Sequence, residues 1–220
     1  MRKIKVAPSI LSGNFADMGA EVKNMADIGA DLIHVDVMDG VFVPNLTFGF
    51  KMIKDLRPLT KLPFDVHLMI TEPIRYVERF VGSGADIVTA HYETGTEVIA
   101  DSLKKIRDCG AKCGLAVNPD TPIDSIKPYL GGLDLILVMT VFPGFGGQKF
   151  IDGSLDRIAR AAELRDRYAP TALVEADGGI NADNAADVAA AGCDILVAGN
   201  AVFGAKDRKA AVESIRRARK

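Results

Sequence analysis

Residues 34–40 read His-Val-Asp-Val-Met-Asp-Gly. In an extended strand, alternate side chains share a face, so His34, Asp36 and Met38 point the same way. The same spacing sets His67 with Met69 in FDVHLM (64–69), and Glu175 with Asp177 in ALVEAD (172–177). If His34, Asp36, His67 and Asp177 converge, two imidazoles and two carboxylates make a reasonable site for a divalent transition metal. The plainer alternative is a hydrogen-bonded core histidine with a buried ion pair. Burying two carboxylates without a cation is costly, so convergence favours a positive charge between them. Mixed ligation leaves Zn²⁺, Fe²⁺, Mn²⁺ and Co²⁺ all open.

Such convergence needs a scaffold that brings strand ends to one mouth. Short apolar runs recur along the chain at 4–9, 32–37, 64–69, 87–92, 112–117, 135–139, 172–177 and 195–199. Helical patterns separate them near 15–29, 47–57, 73–83, 96–109, 121–129, 153–168, 182–191 and 207–219. Asn181 is expected to cap the seventh of these, and Gly110 and Gly192 to end the helices before two strands. Eight strands alternating with eight helices is the pattern of a (β/α)8 TIM barrel, expected here as a single domain over residues 1–220. The alternative is an open doubly wound sheet. It would need a glycine fingerprint after the first strand, and APSILSGNF is not one. The candidate residues all lie at or near the carboxyl ends of their strands, where barrel enzymes keep their sites.

Composition narrows the function classes. Hydrophobic residues make up 48% of the 220 and charged residues 25%, as in an ordinary soluble globular protein. A net charge of -2 gives no electrostatic case for nucleic acid. No apolar run approaches the roughly 20 residues that span a bilayer, so no membrane partner is expected. The start MRKIKVAPSIL runs straight into a strand pattern and reads as neither signal nor transit peptide. Three cysteines, Cys109, Cys113 and Cys193, show no CxxC spacing and fit a reduced, cytoplasmic compartment.

Two glycine turns suggest a second subsite. DGGI (177–180) follows the seventh strand and AGNAVF (198–203) the eighth, where barrels recurrently bind phosphate through backbone N–H groups. Met38, Met69 and Met139 are either core packing or a polarizable lining above the mouth. PGFGGQKF (143–150) is expected to be a mobile active-site loop. His91 ends the fourth strand with no partner pattern and is read as structural, and Lys149 is given no covalent role.

APSIL, HVDVMDGVFVPNLTFG, DVHLMI, VFPGFGGQKF, DGGI and AGNAVF together resemble the ribulose-phosphate 3-epimerase family, from Ala7 to about Phe203. The resemblance implies a ribulose-phosphate-binding barrel with one divalent metal ion per subunit, assembled as a homo-oligomer, either dimer or hexamer. It implies interconversion of D-ribulose 5-phosphate and D-xylulose 5-phosphate, in the pentose phosphate pathway or carbon fixation. It assigns His34, Asp36, His67 and Asp177 to the metal, with Asp36 and Asp177 also the acid/base pair. Sugar-phosphate contacts would come from Ser9, Met38, His67, Met69 and Met139, the loop residues Gly144, Phe145, Gly146 and Gly147, and the phosphate turns Gly178, Gly179, Gly199 and Asn200. The last position is often serine or threonine in relatives. An asparagine there keeps a backbone N–H but loses a hydroxyl.

The chemistry agrees with this implication. Inverting a carbon beside a carbonyl needs one proton removed from one face and another delivered to the opposite face, and the anion between must be stabilised. Rivals remain in view. A six-carbon ketose phosphate would need a deeper pocket. A decarboxylase of the orotidine-phosphate type would show an Asp-x-Lys strand motif, which residues 34–38 lack. A silent sugar-phosphate sensor would have no use for opposed carboxylates.

Overall fold

The computed structural model describes residues 3–217. Its strands are β1 (Lys5–Ala7), β2 (Ile33–Met38), β3 (Phe64–Met69), β4 (Ile87–His91), β5 (Lys112–Val117), β6 (Leu135–Met139), β7 (Leu173–Asp177) and β8 (Ile195–Val197). All are parallel, in the order β1-β8-β7-β6-β5-β4-β3-β2. Chain neighbours are therefore sheet neighbours, which is the topology of a barrel and not of a doubly wound sheet. Closure between β1 and β2 rests on a parallel bridge from Ser9 to His34, with His34 N–H donating to Pro8 O at 3.1 Å.

The strands form because their residues are Val, Ile, Leu and Ala runs buried on both faces, as parallel strands require. Outward side chains such as Val35, Val66 and Val88 join helix residues such as Met25, Ile53 and Ile106 in the main core. Inward side chains stack in layers. Leu32, Ile87, Leu135 and Ile195 plug the amino-terminal end, with Ala7 and Val197 packed against them from the strand ends above. The polar residues sit above that plug, towards the carboxyl ends.

The helices are α1 (Met18–Asp27), α2 (Phe50–Leu56), α3 (Val77–Gly82), α4 (Thr96–Asp108), α5 (Ser154–Tyr168), α6 (Ala185–Ala190), α7 (Asn200–Phe203) and α8 (Arg208–Arg217). Several differ from the sequence expectation for local reasons. The expected helix near 121–129 is a 3₁₀ helix, Ile123–Gly132, because Pro128 removes a donor inside it. The helix expected from 47 starts at Phe50, because Thr47 is held at the end of β2: its Oγ1 donates to Asp36 O at 2.5 Å and accepts from Met38 N–H at 3.0 Å. The helix expected from 73 begins as a 3₁₀ turn at Pro73 and becomes α-helical at Val77. Asn181 caps a turn ahead of α6, accepting from Asp183 N–H and Asn184 N–H. Gly110 and Gly192 do follow α4 and α6 with positive φ. The tail of the last expected helix, 218–219, lies outside the described residues.

Candidate active site and metal centre

Register brings the polar residues together. Across β2 and β3, His34 pairs with Asp65, Asp36 with His67 and Met38 with Met69. Across β6 and β7, Met139 pairs with Asp177. At the barrel floor, His34 Nε2 lies 3.3 Å from Asp36 Oδ1 and 3.9 Å from Asp177 Oδ2. His67 Nδ1 lies 3.2 Å from Asp36 Oδ1 and 3.8 Å from Asp177 Oδ2. One ligand atom from each of His34, Asp36, His67 and Asp177 lies within 4.8 Å of all the others.

These atoms suit a cation. His34 Nε2 is buried and has no hydrogen-bond partner among the described residues, while His34 Nδ1 faces Asp65 Oδ2 at 2.8 Å. A ligating histidine is held this way, its other nitrogen hydrogen-bonded to a carboxylate. Ser9 Oγ donates to Asp36 Oδ2 at 2.5 Å, leaving Oδ1 towards the two histidines. The donor set, two imidazole nitrogens and two carboxylates, fits a divalent transition metal.

The electrostatics separate the two aspartates. Burial works against ionising Asp36, but His34 and then His67 outweigh it and hold its carboxyl well below the usual range. Asp177 moves the other way. Burial and the charge of Asp36 raise it to about 7. Burial disfavours a charged His34, yet Asp36 and Asp65 overcome this and push its pKa well up. Burial takes His67 down to about 4. Glu175, fully buried, is driven well up by burial and by Asp65. The floor thus carries an ionised carboxylate beside a protonatable one, and it attracts positive charge.

Above the floor opens a cavity of ≈ 380 Å³. Ser9, Asp36, Met38, Met69, Met139, Asp177, Gly144, Phe145, Gly146, Gly147, Gly178, Gly179, Gly199 and Asn200 all line it. His34 and His67 do not line it: both are fully buried beneath it. His67, expected to touch substrate as well as metal, has its ring nitrogens turned to Asp36 and His91 instead. Met38 and Met69 pack with Val43 on one side, and Met139 packs with Leu137 and Val141 on the other.

The glycine turns need glycine. Gly178 has φ +123° and Gly179 φ +68°. A Cβ would stand 2.4 Å from Val141 Cγ2 at Gly178, and 2.4 Å from Phe150 N at Gly179. The 144–147 loop is tethered from two sides. Asn45 Nδ2 donates to Gly144 O at 2.9 Å, and Gln148 Nε2 donates to Phe142 O and Phe145 O.

The sequence reading passed over several residues that the geometry brings in. Asp65 was not singled out, and Ser12 and Asn181 also line the cavity. His91, read as structural, stands 2.7 Å from His67. The signal was present: Ile87, Thr89 and His91 alternate onto the inward face of β4.

Comparison with known proteins places the chain in a family. Residues 5–203 match the family model described as the ribulose-phosphate 3 epimerase family. The ribulose-phosphate 3-epimerase of Bacillus subtilis (strain 168) is 48% identical over 97% of this chain and 98% of its own length. That of Synechocystis sp. (strain ATCC 27184 / PCC 6803 / Kazusa) is 44% identical over 100% of this chain and 96% of its own. Among solved structures, KGPDC from Streptococcus mutans superposes with a TM-score of 0.73 at 14% identity, covering 98% of this chain and 96% of that one. At that identity the likeness speaks for the barrel alone.

Proposed function

The chain belongs to the ribulose-phosphate 3-epimerase family and is an enzyme of that kind, and from this premise we propose how its site inverts carbon 3 of D-ribulose 5-phosphate and D-xylulose 5-phosphate. The observation that carries the reading is the convergence of His34, Asp36, His67 and Asp177 on one point beneath a cavity bordered by glycine turns.

Asp36 acts as base towards ribulose 5-phosphate and Asp177 as acid, with the roles reversed in the return direction. Asp36 stands on β2 and Asp177 on β7, with β1 and β8 between them along one arc of the barrel. They reach a carbon between them from different sides. The division needs only that one carboxyl accepts a proton while the other delivers one. Ser9 orients Asp36 through its hydroxyl. His34, Asp36, His67 and Asp177 would hold one divalent ion, which would supply Lewis-acid stabilisation of negative charge developing on the substrate.

The remaining residues place the substrate. Backbone N–H groups at Gly178, Gly179, Gly199 and Asn200 would receive the phosphate, where the glycines let the chain come close. Met38, Met69 and Met139 would wall the carbon skeleton. The 144–147 loop would cover the intermediate and exclude water.

The test is turnover of D-ribulose 5-phosphate followed by NMR, before and after chelation and on adding back Zn²⁺, Fe²⁺, Mn²⁺ or Co²⁺ singly. The reading expects xylulose 5-phosphate to appear, to be lost on chelation and to return with at least one ion. Full activity in a sample shown to be free of metal contradicts the metal's part. Preference for a six-carbon ketose phosphate contradicts the substrate.

A further inference from the structure

A second line of polar side chains leaves the barrel floor through His67. His67 Nε2 lies 2.7 Å from His91 Nε2, and His91 Nδ1 lies 3.0 Å from Glu93 Oε2. Glu93 Oε1 is occupied on its other side. It accepts from Asn118 N–H at 2.8 Å and from the Thr121 hydroxyl at 2.6 Å. His67 and His91 are fully buried, their rings end to end with planes 24° apart and centroids 4.9 Å apart, and Phe42 covers His91 at 4.9 Å.

The chain of contacts fixes where each hydrogen sits. An ionised Glu93 accepts and does not donate. His91 must therefore carry its hydrogen on Nδ1, which leaves a lone pair on its Nε2. Two ring nitrogens at 2.7 Å need one hydrogen between them, so His67 supplies it from Nε2. A neutral imidazole has a single N–H. His67 Nδ1 is then bare, and Nδ1 is the atom that faces Asp36 and Asp177. The reverse order would put a bare His91 Nδ1 against the Glu93 carboxylate, or would demand an extra proton on His91.

We propose that His91 and Glu93 are positioning residues that lock His67 in the tautomer whose Nδ1 can ligate a divalent ion. The inference rests on the metal reading above. His34 is held by the direct version of the same device, with Asp65 on its Nδ1 and Nε2 turned inward. At His67 the carboxylate stands one imidazole further out, and the opposite ring nitrogen faces the site. Partners of this kind are typically worth roughly 10–100-fold in metal affinity.

Glu93→Gln is the decisive variant because it conserves shape and reverses the hydrogens. The two donors at Oε1 would keep the amide oxygen there, turning the amide N–H₂ towards His91 Nδ1. His91 would then donate from Nε2, and His67 would be left with its hydrogen on Nδ1. His91→Phe removes the relay altogether. His91→Gln can accept from His67 and donate to Glu93, and so serves as rescue.

The experiment measures Co²⁺ affinity by chelator competition, reads the Co²⁺ visible spectrum, and assigns the His67 tautomer by ¹⁵N NMR, with circular dichroism on each variant. Co²⁺ affinity should fall about 10–100-fold in Glu93→Gln and His91→Phe, and recover to within about threefold of the parent in His91→Gln. Unchanged affinity and an unchanged His67 tautomer in Glu93→Gln, which alters no packing, overturn the relay while leaving the metal site standing. Failure of the parent protein to bind one Co²⁺ per chain overturns the metal reading, and the relay with it.

Discussion

Ser9 Oγ lies 2.5 Å from Asp36 Oδ2, and Ser9 is also the residue that bridges to His34 where β1 returns to β2. One serine therefore joins closure of the barrel to the orientation of Asp36. Hydrogen bonds to charged groups contribute about 1.5–3 kcal/mol. Ser9→Ala should lower kcat by about tenfold or more, with Ser9→Thr retaining most of it. Steady-state kinetics on both variants checks this, and a kcat unchanged in Ser9→Ala contradicts it.

Asp36→Asn and Asp177→Asn each remove one carboxyl of the proposed acid/base pair and keep the shape of the floor. Positioned acid–base groups contribute about 10²–10⁴-fold, and on the proposed reading each aspartate would also ligate the metal. Each variant should lose at least about 10³-fold in kcat with an unchanged circular dichroism spectrum. Substantial turnover in either purified variant contradicts the two-aspartate account.

The raised proton affinity of Asp177 has a consequence for stability in metal-free protein. Burial and Asp36 bring it to about 7, against about 3.9 for a free aspartate. Between those values the folded chain holds a proton that the unfolded chain has released. The stabilisation from this group is complete below the unfolded value and is lost as pH rises through about 7. Chelated Asp177→Asn should therefore gain on chelated wild type by more than about 1 kcal/mol between pH 5 and pH 8. Urea melts at the two pH values measure it. A gap that does not grow, or one that grows equally with saturating metal, is the contrary result.

Gly179 turns the chain at the expected phosphate site with φ +68°, and any Cβ there meets Phe150 N at 2.4 Å. Forcing a side chain into such backbone costs on the order of 1–3 kcal/mol. Gly179→Ala should lower the melting temperature and raise KM for the sugar phosphate more than it lowers kcat. Wild-type KM in a destabilised Gly179→Ala protein would mean that this turn does not meet the phosphate.

Much of the site was legible because strand periodicity is rigid. Once residues 34–38 and 64–69 are extended, His34, Asp36, Met38, His67 and Met69 must share the barrel interior, and register then sets Asp36 against His67. The family resemblance supplied what periodicity does not, namely the substrate and the pairing of Asp36 with Asp177. What stayed hidden depends on contacts across strands. Asp65 meets His34 through the register of β2 and β3. His91 meets His67 because both point inward from adjacent strands, and its outer partner, Glu93, is joined to the start of the next loop at Asn118. Two α-helices begin later than expected where Thr47 and Pro73 divert the backbone, and Pro128 sits in a 3₁₀ helix where an α-helix is expected.

The most direct test of the central claim is the origin of the hydrogen on carbon 3. D-Ribulose 5-phosphate is incubated with metal-loaded enzyme in heavy water, and the first xylulose 5-phosphate formed is analysed by NMR. With Asp36 removing one proton and Asp177 delivering another, the product carries solvent deuterium at carbon 3 from the earliest turnovers. Product that retains the substrate's own hydrogen at carbon 3 would require a single group to take and return the same proton, and would contradict the two-aspartate mechanism.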